Sequence, residues 1–358
     1  MASSDYKFGE EIVIPFDKAL LWQKAIYMGA GMNEKDAEIV ADHLVTADAR
    51  GVYSHGIMRT PIYVKRFEEK GTSPTAQPAV VKAKGATALV DGNNSMGMVA
   101  TVYGMNVAID LAKQYGSSTV SVTGSNHLGT CAYYAEMAAK ENMIGLCWTI
   151  NCGNIMAPWG GVERQLGNNP FAMAAPCLTK PPMVLDMATS VVARGKIVMA
   201  MKTGAKIPET WALDVKGKST TDADEGYWGT VRPFGDYKGY GITFMNAILS
   251  SILNGSSFGP TVGDFYEKPS EIQNTGHLLQ VIDISAVTDV DEFKKRMDDA
   301  VDYLKSGKKA EDVSEIFIPG ELEARSMERQ KREGIAYPVE VIEENKEIAK
   351  KYGVESIL

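Results

Sequence analysis

The chain is 358 residues long, room for about two domains of ordinary size or one large α/β unit with an insertion. A chain of this length removes about three quarters of its extended surface from water, so it can bury a sizeable core. Against 37 Lys and Arg stand 45 Asp and Glu, a net charge of −8, and with no long basic run this excludes the usual electrostatic footprint of a nucleic-acid binder.

The first 75 residues read as helical. Pro15-Phe16-Asp17 opens a run with Ala19, Leu20, Trp22, Ala25 and Ile26 at helical spacing, closing at Gly29. Asn33, a good N-cap, opens a second helix with Ala37, Val40, Ala41, Leu44 and Ala47 on one face. The texture changes after Ala76. Residues 79–91 read as two short strands around Lys84-Gly85, followed by a helix from Val99 to Tyr115 that Gly116 stops. A strand over Ser118–Val122, a polar loop Gly124-Ser125-Asn126-His127, a helix from Thr130 to Asn142 and a strand over Ile144–Ile150 come next.

Beyond a Gly-, Pro- and Asn-rich stretch at 151–170, strands Phe171–Ala175 and Met183–Met187 alternate with helices near 190–203 and 238–254. His277–Ile284 is a further strand. From Val290 the chain returns to charged amphipathic helices at 290–306, 321–333 and 338–352. Strand and helix patterns alternate through the middle, which makes the class α/β with α+β character. The helices at the two chain ends are expected to form one discontinuous domain, because chain ends often lie close together.

The N-terminal MASSDYKFGEEIVIPF has no basic start before an apolar block, so no secretory leader is expected. The longest apolar stretch, Met143–Ile150, is far shorter than the roughly 20 residues of a membrane span. Four cysteines, Cys131, Cys147, Cys152 and Cys177, form neither a disulfide framework nor a CxxC pair. Three of them sit in apolar or small-residue settings, where reduced buried cysteines sit. The expected compartment is the cytoplasm.

Only four histidines are available for proton transfer. His43 lies beside the apolar stripe of a helix and reads as structural. His277 follows Gly276 and reads as a surface or turn residue. His127 lies in SVTGSNHLGT, between a strand and a helix, where α/β proteins place ligand-contacting groups. With an unperturbed pKa of about 6.5, an imidazole there serves as acid or base near neutrality. His55 lies in RGVYSHGIMRTPIYVKRF. A helix starting near it puts His55, Arg59 and Tyr63 on one face, whereas Pro61 favours a start at Thr60 with His55 left in the loop. Either way Ser54, His55, Arg59 and Tyr63 share one short segment, and the guanidinium of Arg59 suits a carboxylate.

No GxGxxG, Walker A, HExxH, GxSxG or Cys/His cluster with metal spacing occurs, so no metal is expected and any nucleotide is held without the usual glycine fingerprint. A hydrolase triad from Ser125 or Ser54 with a histidine and Asp186 is a remote alternative without a nucleophile elbow.

Six segments in order, ADARGVYSHGIMR (47–59), TGSNHLGTCAYYAEMA (123–138), MAPWGG–ERQLGNNP (156–170), VLDMATSVVARGK (184–196), GDYKGYG (235–241) and SEIFIPGE (314–321), resemble the malate/L-lactate dehydrogenase family of the non-Rossmann type. Ureidoglycolate dehydrogenase, diketogulonate reductase, sulfolactate dehydrogenase and cyclic-imine carboxylate reductase share its architecture. The resemblance runs from about residue 12 to 352. It implies a mostly antiparallel sheet (77–286) that binds the nicotinamide nucleotide, beside a helical domain built from residues 1–76 and 287–358, in a homodimer. It implies hydride transfer between a 2-hydroxy acid, malate foremost, and NAD, with NADP as second choice. Lactate, ureidoglycolate, sulfolactate or a cyclic imine carboxylate are alternative substrates.

By the same resemblance His127 is the leading acid/base, with His55 a rival. Asp186 orients an imidazole or meets the cofactor. Arg59 clamps the substrate carboxylate, and Ser54, His55 and Tyr63 line the pocket. Asn151, Asp186, Met187, Lys238, Pro319, Gly320 and Glu321 touch the dinucleotide. Asn168-Asn169-Pro170 and Asn151-Cys152 depart from the family pattern, which has Thr-Asn-Pro and a Thr or Ser more often.

Overall fold

The computed structural model describes residues 10–151 and 153–355. The first nine residues, on which the reading of the N-terminus partly rests, and Cys152 lie outside this range. The chain starts with β1 (Glu11–Ile14), α1 (Phe16–Gly29) and α2 (Glu34–Ala49). Two 3-10 turns, Tyr53–His55 and Ile57–Arg59, lead into α3 (Thr60–Glu68). The middle of the chain forms β2 (Ala79–Lys84), β3 (Thr87–Asp91), α4 (Gly97–Tyr115), β4 (Ser117–Ser125), α5 (Cys131–Lys140), β5 (Met143–Thr149), β6 (Phe171–Ala175) and β7 (Met183–Met187). Then follow α6 (Arg194–Thr203), β8 (Ala212–Leu213), β9 (Ser219–Thr220), α7 (Ala223–Trp228), β10 (Thr230–Val231) and α8 (Tyr237–Ser250). The last elements are β11 (Thr275–Asp283), α9 (Val290–Lys305), α10 (Glu321–Glu333), β12 (Ile335–Pro338) and α11 (Val339–Lys351).

Local chemistry sets several boundaries. The Asn33 side chain accepts the Asp36 N–H at 3.0 Å and starts α2. Gly116 ends α4 in the left-handed region at φ 82°. Pro61 sits in the first turn of α3, so the helix begins at Thr60 and His55 stays in the preceding turn.

Seven strands form the main sheet in the order β2-β3-β4-β11-β5-β6-β7. The β3–β4 pair is parallel and the other pairings are antiparallel. The sheet is therefore mixed and mostly antiparallel, as the resemblance implies. Its core is closed by α4 and α5, whose Met105, Ala108, Ala112, Ala135 and Ala138 pack with Val120, Val122 and Cys147 of the strands.

A second core joins the two chain ends. Trp22, Ile26, Tyr27 and Leu44 share it with Ile335, Tyr337, Ile342 and Ala349, and Gln23 Nε2 donates to Asn345 Oδ1 at 2.9 Å. Strand β1 pairs with β12 inside it. A two-stranded ribbon is marginal alone; here Ile14, Ile335 and Tyr337 are buried, and each buried side chain of this size contributes about 2 kcal/mol.

Three features depart from the sequence reading. Neither chain end is wholly helical, because β1 precedes α1 and pairs, more than 300 residues away, with β12, which stands between α10 and α11. A small sheet, β10-β8-β9, surrounds α7 where no strand is expected. His277 is neither a surface nor a turn residue: it is fully buried in β11, paired with Val122 on one side and Thr149 on the other. Among the described residues no helix is long and apolar enough to cross a membrane.

Candidate active site

Strand register gathers the chemistry along one edge of the sheet. Ser125 at the end of β4 opposes Thr275 at the start of β11, and His277 opposes Thr149 at the end of β5. Trp148 opposes Phe171, and Phe171 opposes Met187. The loops carrying His127, Asn151 and Asn168–Pro170, and the β7 end with Asp186 and Met187, therefore leave from one edge. Four strand steps at about 4.8 Å make this edge ~19 Å wide.

His127 stands two residues past β4, half-buried. Its backbone N–H donates to Gln273 Oε1 at 3.1 Å, and its Nδ1 is 2.6 Å from the Tyr63 hydroxyl. The Gly129 N–H lies 3.4 Å from the same nitrogen, too long to compete. Nε2 has no hydrogen-bond partner among the described residues. Burial, joined by the nearby His55 and Arg59, holds the imidazole well below its usual pKa, so it is neutral near pH 7. The preceding Asn126 secures the loop by donating from Nδ2 to Ser95 O at 2.8 Å and accepting from Thr72 Oγ1 at 3.0 Å.

His55 lies almost parallel to His127, with ring centroids 5.7 Å apart and planes at 21°. Its Nδ1 is 2.9 Å from Ser54 Oγ, and burial with the Arg59 charge pushes its pKa down to about 4. Arg59 donates from Nε to Ser54 O at 2.6 Å and from a terminal nitrogen to the Tyr266 hydroxyl. No carboxylate of the described residues pairs with this guanidinium. The turn is held from below by Asp48, a buried carboxyl whose Oδ2 accepts the Ile57 N–H at 2.9 Å. Gly56 sits directly on it, since an added Cβ would come within 1.6 Å of Asp48 Oδ1.

Three contributors escaped the sequence reading. Phe265 packs on His127 and Tyr63 at 5.1 and 5.6 Å between ring centroids. Gln273 holds the His127 backbone, and Tyr266 covers Arg59. Arg66, fully buried, donates to Asp264 O at 3.1 Å and Glu271 O at 2.7 Å and so fixes the loop that carries both aromatic residues. No local motif marks these positions, because each meets the site only through contacts with distant segments.

Asp186 does not orient an imidazole: its Oδ2 accepts the Ala132 N–H at the start of α5 at 2.9 Å. The residue is exposed as a whole, yet protein packed around the carboxyl raises its pKa to about 6. No triad forms either. Ser125 is buried against His277 and Ser54 pairs with His55, each without a carboxylate partner among the described residues.

The other stretches expected to touch a dinucleotide adjoin β7. Pro319 O accepts the Val184 N–H at 3.2 Å, and Gly320, at φ 83°, lies where a Cβ would press on Val184 O at 2.7 Å. Glu321 faces Lys305 at 2.5 Å and also pairs with Arg325. Lys238 is exposed in the first turn of α8, which is tied to the β7 end by the Phe234 N–H bond to Thr189 O at 2.9 Å. Asn151 donates from its backbone to Asn169 Oδ1 at 3.2 Å, and Asn169 Nδ2 donates to Thr243 O of α8 at 3.1 Å.

A family model described as malate/L-lactate dehydrogenase matches residues 14–345. The chain is 39% identical over 354 residues to the malate dehydrogenase of Pyrococcus horikoshii, covering 97% of each chain. It is 32% identical over 292 residues to the ureidoglycolate dehydrogenase (NAD(+)) of Escherichia coli O157:H7, covering 82% of this chain and 83% of that one. The solved sulfolactate dehydrogenase from Methanocaldococcus jannaschii superposes with a TM-score of 0.90 at 35% identity, over 96% of this chain and 98% of that chain. With the family model spanning most of its length, the chain belongs to the malate/L-lactate dehydrogenase family, oxidoreductases acting on the CH–OH group of hydroxy acids.

Proposed function

We propose that this dehydrogenase interconverts malate and oxaloacetate with NAD, as a cytoplasmic homodimer, NADP being the second acceptor. One observation carries the reading of the site: a neutral imidazole, fixed through Nδ1 by a tyrosine and open at Nε2, stands beside an arginine that has no carboxylate partner among the described residues.

The family implies a nicotinamide cofactor, and the residues present fit one. No side-chain hydrogen bond caps the N-terminus of α8 or of α6, nothing stands within 4 Å of a Cβ added at Gly195, Gly235 or Gly241, and Lys238 is exposed beside them. Uncapped N–H groups and a lysine suit a pyrophosphate. Asp186, Met187, Gly320 and Asn151 adjoin the same edge. When bound there, a nicotinamide would supply the hydride acceptor for oxidation of the hydroxy acid.

The chain's own residues do the rest. With its Nδ1 proton toward Tyr63, His127 keeps Nε2 as acceptor, takes the hydroxyl proton during oxidation and returns it during reduction. Arg59 holds the substrate carboxylate two-pronged. Ser54 and His55 line the space between, and His55, tied to Ser54, is the weaker candidate for the proton. Phe265 and Tyr63 keep water from the imidazole.

The homodimer reading is supported by α8, which is inverted: Thr243, Asn246 and Ser250 are buried, whereas Ile242, Phe244 and Met245 are exposed, continuous with Ile252 and Leu253. An exposed apolar face of this kind marks an interface. Free buried thiols at Cys131, Cys147 and Cys177 support a reducing compartment.

The test is a panel of 2-oxo acids, oxaloacetate, pyruvate and sulfopyruvate among them, assayed with NADH and with NADPH at the nicotinamide absorbance band. Oxaloacetate with NADH is expected to give the highest kcat/KM; a preference for another acid or for NADPH overturns that part of the reading. Arg59→Lys is expected to raise KM about tenfold and to leave kcat within a few-fold, because the two-pronged contact is lost.

A further inference from the structure

The turn between His127 and α5 has three residues, and each is held from outside. Tyr134 donates its hydroxyl proton to Leu128 O at 2.5 Å. Gly129 adopts φ +82°, and a Cβ there would stand 2.1 Å from His43 Nε2. The Thr130 N–H donates to that same nitrogen at 2.9 Å, and no side-chain hydrogen bond caps α5 at Thr130.

His43 reaches this turn from α2. It is fully buried, with its ring against Tyr133 and Tyr134 at 4.6 and 5.5 Å between centroids. Because Nε2 accepts a backbone proton, the ring's own proton sits on Nδ1, and Nδ1 is buried without a hydrogen-bond partner among the described residues. A phenylalanine would fill the same space without that burden. An imidazole with one unsatisfied nitrogen makes physical sense if the other nitrogen is needed as an acceptor. Burial lowers its pKa to about 3, so the acceptor persists across the working pH range.

We propose that His43 is a positioning residue for the proton-transfer step: by accepting the Thr130 N–H against Gly129 it sets the turn that aims His127 at Tyr63. The proposal rests on the reading of His127 as the proton-transfer group. Outer groups of this kind hold reacting side chains to within a few tenths of an ångström.

Two substitutions separate positioning from packing. His43→Phe keeps the ring and loses the acceptor, whereas His43→Gln keeps an acceptor and loses the ring. Positioning predicts that the Phe variant loses about tenfold or more in kcat, with unchanged affinity for NADH by fluorescence titration, while the Gln variant stays within threefold of the parent. It also predicts that His43→Phe with Tyr63→Phe slows the enzyme by less than the product of the two single effects. Packing alone predicts the reverse order, and a fully active Phe variant, or a Gln variant that is slow at the parent's Tm, overturns the proposal. If the Phe variant does not fold, the Gln variant decides by the same criterion. His127→Ala is assayed in parallel: retained turnover there refutes the reading of His127, whereas lost turnover there with a fully active His43→Phe refutes only the positioning role.

Discussion

Two imidazoles 5.7 Å apart and one guanidinium, with no carboxylate partner among the described residues, leave the site without a negative charge to balance a proton. Each histidine is pushed toward its neutral form, His127 well below the ordinary range and His55 to about 4. A base is useful only while unprotonated, so oxidation by the free enzyme should persist below pH 6.5 and its kcat/KM should fall on an acid limb lying lower than a solvent-exposed histidine would give. Tyr63→Phe removes the group that receives the Nδ1 proton, so the imidazolium formed in the proposed proton transfer loses a partner. A loss of one hydrogen bond to a charged group corresponds to about a tenfold drop in kcat, with the acid limb moving further down; a pH–rate series on both proteins checks this. Much of this constellation was legible in the sequence. His127 sits in a local strand-to-helix loop, and Ser54, His55, Arg59 and Tyr63 share ten residues. Phe265, Tyr266 and Gln273 were not legible, since their loop meets the histidines only through contacts with distant segments, the buried Arg66 among them.

At the scale of elements, β11 is the strand on which the active edge depends. His277 links it to both neighbours, with Nε2 2.8 Å from Ser125 Oγ and Nδ1 2.7 Å from Thr149 Oγ1. His277→Leu leaves two buried hydroxyls poorly satisfied and should cost about 2–3 kcal/mol, read as a lower urea midpoint at unchanged m. The pH dependence has a definite sign. Burial lowers the folded pKa of His277 to about 3, below the ~6.5 of an unfolded chain. Between these values the unfolded chain binds a proton that the folded one refuses, so stability is full above pH 6.5 and declines as pH falls toward 3. The Tm of His277→Leu should therefore fall less steeply than the parent's between pH 7 and 4.5. Sequence periodicity recovered the long helices and β4, β5, β6 and β7, whose burial alternates or runs locally. It missed β1, β12 and β8 to β10, which are two to four residues long, too short for any period. It misplaced His277 because its burial is decided by strands 128 and 152 residues away in sequence.

For the molecule as a whole, the exposed apolar side of α8 is the face proposed for assembly. Met245 is 53% exposed between Phe244 and a polar, buried Asn246. Met245→Glu should convert a dimer into monomers in sedimentation equilibrium at micromolar concentration, weakening association about a hundredfold if this face is the centre of the contact. A parent chain that sediments as a monomer, or a variant that stays dimeric, removes α8 from the interface. The other large-scale feature is the seam between the chain's two ends. Beyond the β1–β12 pairing, Asn345 Nδ2 donates to Ile57 O at 3.2 Å, and Gln330 Nε2 donates to the Tyr53 hydroxyl at 3.1 Å. The turn that carries Ser54 and His55 is thus braced by α10 and α11, 277 and 288 residues further along the chain. A chain cut before Glu321 would keep every strand of the seven-stranded sheet but lose both bonds that hold Tyr53 and Ile57. A single proteolytic cut ahead of α10 would therefore silence turnover before it unravels the strands.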